Sequence, residues 1–274
     1  MARHRGTYKP ENPEPYELSR SRLEAFLKCP ACFWLDRVRG VKFPSIPAFL
    51  LNTNTDVLLK KDFDGYRGRE AHPLMRRVGL GHLRPFAHPE LEAWQDSLNF
   101  GKDDAHFNTR HEATNLCFGG GVDDVWENPA TGELHIVDYK STAQMGPTFR
   151  PLDESFIAPV EDPKKPDYKA GYRRQMDMYQ WVLRRRGYAV SNTGYFVYVD
   201  GQHAAEPGML DEADPTQGWM RFAVAVIPYE GDDRWVEGAL IDAKACLTAP
   251  RCPAHAEGCE HARFLKGAWE ATSP

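Results

Sequence analysis

The sequence predicts a mixed α/β fold, and three observations lead to this prediction. Short apolar runs separated by turn residues follow residue 115, which is typical of a strand meander. A segment from about residue 168 to 186 carries apolar residues at three- and four-residue intervals, which is typical of an amphipathic helix. Further apolar runs come after that segment. We therefore expect a mixed central sheet flanked by helices, with a helical N-terminal part.

The N-terminal part is predicted in three pieces. Residues 1–17 are polar, contain prolines and lack the apolar stretch of a secretory signal, so we expect a flexible leader in a cytoplasmic protein. Ser19 then precedes a short amphipathic run that Pro30 interrupts, which indicates a serine-capped helix. Residues 41–110 contain weakly periodic pieces broken by prolines and are predicted as a helical insert. The leader is followed by a single predicted domain over residues 18–265.

The remaining elements follow from local patterns. Residues 116–118, 122–126 and 134–140 are predicted as successive strands, and the turn residues at 128–132 are suited to close a hairpin between the last two. Residues 141–167 are rich in proline and are predicted as a long loop. Residues 168–186 form the predicted helix, and Gly187 follows as a stop signal. Residues 195–199 and 222–227 are predicted as strands, and residues 238–247 as a final helix.

Composition limits the classes of function. The chain is 42% hydrophobic and 27% charged, which is typical of a soluble globular protein. No apolar run is long enough to predict a membrane-spanning helix, so no membrane partner is expected. The net charge of −5 does not by itself indicate a nucleic-acid-binding protein, although binding depends on local basic groups. The basic residues that we nominate as nucleic-acid contacts are Lys164, Lys165, Arg173 and Arg174.

Acidic residues on two neighbouring predicted strands indicate a specific chemistry. Side chains alternate along a strand, so Asp138 and Lys140 share one face, and Asp123 on the preceding strand can reach the same place. Two nearby carboxylates repel unless a cation lies between them. Two carboxylates suffice for Mg²⁺, which keeps several waters, and the backbone carbonyl of Tyr139 is a candidate additional ligand. The alternative interpretation is an Asp–Lys pair at the exposed end of a strand.

These residues also resemble a known family. The strings GGVD at 120–123 and VDYKS at 137–141 resemble the G-x-x-D…D-Y-K-[ST] core of the PD-(D/E)XK nuclease superfamily, in its RecB-like branch. Downstream, Gln175 and Tyr179 match the Q-x-x-x-Y motif of that branch. His72 ends a G-x-x-x-H string, which in the branch supplies a histidine ligand to the metal, and His82 and His88 are alternative candidates.

The resemblance implies a restriction-endonuclease-like core and a Mg²⁺- or Mn²⁺-dependent deoxyribonuclease. Such an enzyme acts as an exonuclease or on single strands in recombination, repair or defence. Its partners would be single-stranded DNA or duplex ends, together with a helicase or other nucleic-acid-processing proteins. The implied catalytic residues are Asp123, Asp138, Lys140, Gln175 and Tyr179.

A second metal centre is suggested by the cysteines. The start of the chain at 19–30 resembles that of AddB-type nucleases, where one cysteine joins three C-terminal cysteines around a 4Fe–4S cluster. The corresponding candidates here are Cys29 and three cysteines of the tail at 246–261, namely Cys246, Cys252 and Cys259. Their spacing is wider than in that family, and histidines also lie in the tail. A 4Fe–4S cluster, Zn²⁺ and a tail without metal therefore all stay open.

Two other classes of function compete with the nuclease. One is a catalytically inactive, nucleic-acid-binding or scaffold subunit of the same fold. The other is a metal-dependent phosphoesterase that acts on small molecules.

Overall fold

The structure is a computed structural model, which describes residues 3–44, 49–144, 146–162, 164–204 and 206–273. Within these residues the chain has the mixed α/β character predicted from the sequence. In chain order the strands are β1 (Tyr16–Ser19), β2 (Arg84–Pro85), β3 (Asn108–His111), β4 (Leu116–Gly119), β5 (Asp124–Asn128), β6 (Glu133–Ala143), β7 (Thr193–Gln202) and β8 (Arg221–Glu230). The helices are α1 (Arg20–Lys28), α2 (Pro30–Arg39), α3 (Leu50–Asp64), α4 (Pro73–Arg77), α5 (Leu91–Gln95), α6 (Ala170–Arg185), α7 (Val236–Thr248) and α8 (Glu260–Thr272).

The chain divides into two compact units, where the sequence predicted one domain over 18–265. Unit 1 comprises the described residues of Met1–Pro47, Glu90–Gly121 and Asp232–Pro274, and unit 2 those of Ala48–Pro89 and Val122–Gly231. The predicted helical insert at 41–110 is thus shared between the units, and its residues 45–48 lie outside the described residues.

Unit 1 contains a three-stranded mixed sheet in the order β1-β4-β3, with β1 parallel and β3 antiparallel to β4. Residues 3–17 belong to this unit and are not the predicted flexible leader, although residues 1 and 2 lie outside the described part. His4, Tyr8 and Tyr16 are buried, and their ring centroids are 4.9 to 5.5 Å apart. These aromatic contacts hold the segment in place.

Unit 2 contains a five-stranded sheet in the order β2-β5-β6-β7-β8. The pair β6-β7 is parallel, and the other neighbouring pairs are antiparallel. Helix α6 connects the two parallel strands, as a crossover requires. Its predicted bounds of 168–186 agree with the observed Ala170–Arg185. Between β6 and α6, the predicted long loop contains a single 3-10 turn, Glu154–Phe156, among its described residues.

One hydrophobic cluster of unit 2 lies on one face of this sheet. Val137 and Tyr139 of β6 pack there with Phe63 of α3, Trp126 of β5 and Val197 of β7. The strand alternation then directs Asp138 and Lys140 to the opposite face, which α6 contacts. None of the described helices combines the length and the apolar character that crossing a membrane requires.

Candidate active site and candidate metal centre

The central strand β6 places a buried acid beside a lysine. Asp138 is fully buried, and its carboxylate forms an ion pair with the ammonium of Lys140, whose side chain is 16% exposed. The two residues are two positions apart, so they share a face of the strand. A charged pair in the middle of an apolar strand is costly to bury, which makes a role in packing alone a poor explanation for it.

Asp123 lies next to the same point. The register pairs Asp124 of β5 with Val137 of β6, so the next position along the hairpin brings Asp123 opposite Asp138. The Oδ2 atom of Asp123 accepts a hydrogen bond of 2.9 Å from the backbone N–H of Tyr139. Residues that face each other across an antiparallel pair have neighbouring side chains. The two carboxylates that the sequence singled out therefore converge on one segment of backbone.

Helix α6 completes this arrangement, which we call the hairpin site: Asp123, Asp138, Lys140 and Gln175. The Nε2 atom of Gln175 donates a hydrogen bond of 2.6 Å to Oδ1 of Asp138. Because Lys140 holds the other oxygen, both oxygens of Asp138 are oriented. Tyr179, one helical turn beyond Gln175, is buried at 2% exposure in the body of α6.

A second lysine, which the sequence analysis missed, lies near the hairpin site. The Nζ atom of Lys169 lies 4.1 Å from the ring centroid of Phe156 and 5.3 Å from that of Tyr172. The ammonium of Lys140 lies 4.9 Å from the same Tyr172 ring. Burial and the positive charge of Lys140 lower the pKa of Lys169. Lys169 stands immediately before α6 and three residues before Tyr172, and that i, i+3 spacing was the available signal.

Asp56 of α3 is a further acid that the sequence analysis missed. Burial raises the pKa of Asp56, and the negative charge of Asp123 raises it further. Asp56 also forms an ion pair of 3.1 Å with Lys60. Helix α3 is held near the strand by a hydrogen bond of 2.5 Å between the hydroxyls of Thr55 and Ser141. A second acidic group, Asp56, therefore lies near the Asp123 side of the hairpin site.

His72, the predicted histidine ligand, has a different role in the structure. It is the N-cap of α4, and its Nδ1 accepts a hydrogen bond of 3.1 Å from the backbone N–H of Leu74. Pro73 forces this boundary, because proline is favoured in the first turn of a helix. The imidazole packs against Phe63, with ring centroids 4.6 Å apart, and burial lowers its pKa. Over the described ranges, no three His, Cys, Asp or Glu ligand atoms of unit 2 lie within 4.8 Å of one another, so His72 does not join Asp123 and Asp138 in one cluster.

The four basic residues nominated as nucleic-acid contacts differ in exposure. Arg173 is buried, donates a hydrogen bond of 2.7 Å to the carbonyl of Ile157 and pairs with Asp167. It therefore fixes the segment before α6 and is not available to a phosphate backbone. Arg174 is half-buried, whereas Lys164 and Lys165 are exposed.

A buried ion pair supports the strand from the core side. The Oδ1 atom of Asp124 accepts hydrogen bonds of 2.8 Å from Nη1 of Arg67 and from the N–H of Val125. Its Oδ2 atom accepts one of 2.8 Å from the hydroxyl of Tyr139. Burial raises the pKa of Asp124, and the Arg67 guanidinium opposes that effect. These bonds position Tyr139, the residue between Asp138 and Lys140.

Unit 1 contains a separate group of metal-ligating side chains, which we call the thiol–imidazole cluster: Cys29, Cys32, His255 and Cys259. Their ligand atoms all lie within 4.8 Å of one another, so this group could bind a metal such as Zn²⁺ or iron. Burial opposes ionisation of Cys29, but hydrogen bonds from the N–H of Ala256 and from its neighbours outweigh burial and lower its pKa to about 6. Thiolates are the form of cysteine that binds metals.

The cluster corrects two of the four predicted cysteine ligands. Cys29 and Cys259 belong to it, whereas Cys246 and Cys252 do not. Their thiols point to backbone carbonyls instead, at 3.6 Å from the oxygen of Pro30 and 3.9 Å from that of Ala31. The other two members, Cys32 and His255, had a local signal in the C-x2-C spacing at 29–32 and the H-x3-C spacing at 255–259.

Comparison of the sequence with protein-family models and with curated proteins gives no match. The functional interpretation therefore depends on the geometry of the two sites.

Proposed function

We propose that the chain is a Mg²⁺- or Mn²⁺-dependent deoxyribonuclease of the PD-(D/E)XK, RecB-like kind, with unit 2 as its restriction-endonuclease-like core. The observation that carries the proposal is the hairpin site, where Asp123, Asp138 and Lys140 converge with Gln175 hydrogen-bonded to Asp138. The topology of unit 2 supports it, since the acidic strand β6 lies between an antiparallel partner and a parallel partner that is reached through a helix.

The donor set of the hairpin site fits a hard divalent cation. The carboxylates of Asp123 and Asp138 would hold it, and the carbonyl of Tyr139, 3.4 Å from the ammonium of Lys140, is a candidate further ligand. Mg²⁺ takes oxygen ligands and keeps several waters, so two carboxylates and a substrate phosphate suffice to complete its coordination sphere. When bound, such an ion lowers the pKa of a water molecule and offsets negative charge on the phosphate. Among the described residues of unit 2, no third His, Cys, Asp or Glu ligand atom clusters with these two carboxylates, and Mg²⁺ does not require one because it keeps several waters.

Gln175 and Lys140 have separate roles in the proposed reaction. Gln175 fixes the orientation of Asp138 through the 2.6 Å hydrogen bond. The ammonium of Lys140, held beside that carboxylate, is placed to orient an attacking water and to offset charge on the phosphate. In this structure the same ammonium is the counter-charge of Asp138. The acid and the lysine therefore stabilise each other before substrate binds.

Lys169 and the aromatic residues around it supply a surface for the substrate. A lysine near Lys140 adds a second positive charge for a phosphate of the strand. The rings of Phe156 and Tyr172 beside it offer faces for stacking by unpaired bases. This combination favours single-stranded DNA or a frayed duplex end as substrate, because bases inside a duplex cannot reach an aromatic face.

The test is a cleavage assay on end-labelled single- and double-stranded DNA with Mg²⁺, Mn²⁺ or EDTA. We expect metal-dependent cleavage that Lys140→Ala lowers by about 10²- to 10⁴-fold, the range for loss of a proton-handling or charge-stabilising group. Lys61→Ala removes an exposed lysine of the same unit and should cleave like the unsubstituted protein.

Other results of this cleavage assay would contradict the site assignment or favour another class of function. Unchanged cleavage by Lys140→Ala would contradict the site assignment. DNA binding without cleavage under every metal condition would instead favour an inactive binding or scaffold subunit. Hydrolysis of nucleotides but not of polymers would favour a small-molecule phosphoesterase.

A further inference from the structure

The thiol–imidazole cluster brings together two short motifs from distant parts of unit 1. Cys29 lies between α1 and α2, and Cys32 is in the first turn of α2. His255 and Cys259 flank a turn, and Cys259 is the N-cap of α8. The spacings are C-x2-C and H-x3-C, which are typical of zinc sites with mixed sulfur and nitrogen ligands.

The distances between the ligand atoms are those of a single tetrahedral site. The sulfur of Cys32 lies 3.5 Å from that of Cys259 and 3.7 Å from Nδ1 of His255. Nδ1 of His255 also lies 3.5 Å from the sulfur of Cys29 and 3.7 Å from that of Cys259. With Zn–S bonds of about 2.3 Å and Zn–N bonds of about 2.1 Å, the edges of a tetrahedron are roughly 3.6 to 3.8 Å long. The four atoms therefore already stand close to the corners of one coordination sphere.

We propose that Cys29, Cys32, His255 and Cys259 hold one Zn²⁺ ion in a closed structural site. The arrangement does not suit a 4Fe–4S cluster, in which each cysteine binds a different iron and the sulfurs stand apart around a cube. Here a histidine nitrogen and three sulfurs converge within bonding distance of one central point. Four protein ligands also leave no open position, which is the property of a structural rather than a catalytic zinc site.

Two helix N-termini and one backbone N–H surround the cluster with positive charge. Cys29 is the N-cap of the ten-residue helix α2, and Cys259 is that of the thirteen-residue helix α8. Both helices therefore direct the positive end of their dipole towards the cluster. The backbone N–H of Ala256 also donates to the sulfur of Cys29 at 3.4 Å. Such second contacts orient the ligands of a metal site and stabilise thiolate charge.

The site also explains how an irregular segment is held. Residues 249–259 contain no helix or strand, yet the segment lies at the start of α2. A metal bridge from residues 29–32 to residues 255–259 would cross-link it to that helix. His261 lies near the cluster, with Nδ1 3.6 Å from the sulfur of Cys32, but its ring is stacked on Phe43 at 3.9 Å between centroids. We therefore assign it outside the coordination sphere.

The experiment is metal analysis of the purified full chain produced with zinc and iron both supplied. We expect about one zinc per chain and no acid-labile sulfide. Cys32→Ala and His255→Ala should each lose the zinc, whereas Cys246→Ala and Cys252→Ala should keep it. Because a ligand variant can fail to fold, the unsubstituted chain is also loaded with Co²⁺, which should give the intense visible bands of a tetrahedral thiolate site.

Two results would overturn the assignment. One is iron with sulfide in the unsubstituted chain that is lost in the Cys246→Ala and Cys252→Ala variants, since these residues would then be cluster ligands. The other is a chain that binds neither zinc nor cobalt. These readouts involve no DNA, so either result leaves the proposed nuclease activity to its own assay.

Discussion

Removing Arg67 should destabilise unit 2 more than removing any exposed arginine, because it would leave a buried carboxylate without its counter-charge. Asp124 is fully buried, and the Arg67 side chain is only 13% exposed. In Arg67→Ala, Asp124 would keep its hydrogen bonds from Val125 and Tyr139 but lose the guanidinium. Breaking a buried ion pair by removing one partner typically costs about 3–5 kcal/mol.

The pH dependence of this loss follows from the titration of Asp124. Burial raises the pKa of Asp124 even with Arg67 present, and loss of the guanidinium should raise it further. A carboxyl whose pKa is higher in the folded state binds its proton more tightly there, so its stabilising effect is complete below the unfolded value of about 3.9 and disappears as pH rises through the folded value. The loss of folding stability in Arg67→Ala should therefore be smaller in acidic buffer than at neutral pH.

The assay is native-state hydrogen exchange of peptides that cover β5 and β6, which reports unit 2 separately from unit 1. A loss of about 3–5 kcal/mol corresponds to a decrease in protection of roughly 10²- to 10⁴-fold. Arg69→Ala, which removes an exposed arginine, should change stability by less than about 0.5 kcal/mol. The double variant Arg67→Met/Asp124→Asn should recover most of the loss, because it removes both charges. Equal protection in Arg67→Ala and Arg69→Ala would refute the assignment of Arg67–Asp124 as a buried pair.

Three further predictions test other parts of the molecule. The lowered pKa of Lys169 means that its positive charge disappears at a lower pH than that of an ordinary lysine. DNA affinity, measured by fluorescence anisotropy, should therefore weaken on the alkaline side, and Lys169→Arg should remove that weakening; an identical pH profile for the two would count against a phosphate contact. From the proposed zinc site we expect that a chelator lowers the melting temperature of the chain and that added Zn²⁺ restores it, whereas no response to either reagent would argue against a structural metal. Gly119→Ala should lower the free energy of unfolding, measured in urea, by about 2–4 kcal/mol, because the added Cβ would collide with the carbonyl oxygen of Phe107. Gly238 in α7 has open space around it, so Gly238→Ala should raise the free energy of unfolding by about 0.5–1 kcal/mol. Equal effects of the two substitutions would contradict the close approach of β3 and β4.

The parts of the fold that were predictable from the sequence are those with a local pattern. The alternation in β6 located Asp138 and Lys140 on one face, and the turn residues before it indicated the hairpin that brings Asp123 alongside. The 3.6-residue period predicted helix α6, and the Q-x-x-x-Y resemblance singled out Gln175, but its hydrogen bond to Asp138 was not predicted. In each case a few neighbouring residues contain the whole signal.

The features that the sequence did not reveal depend on contacts between distant segments. The packing of His4 with Tyr8 and Tyr16 makes the N-terminal stretch part of unit 1. Such ring contacts produce no periodic pattern in the sequence, so they could not be predicted from it. The C-x2-C and H-x3-C spacings are both visible in the sequence, but only the tertiary structure shows that Cys32 and His255 meet. The position of His72 at the start of α4 did have a local signal, since the proline after it is a recognised sign of a helix start.

The interrupted layout of unit 1 has a consequence for biosynthesis. All segments of unit 2 precede α7 in the chain, whereas α1 and α2 of unit 1 pack against α7. A growing polypeptide can thus complete unit 2 while it is still attached to the ribosome. Helices α1 and α2 can form their contacts with α7 only after α7 has emerged. During that interval the early helices of unit 1 are the part of the nascent chain most in need of chaperone protection.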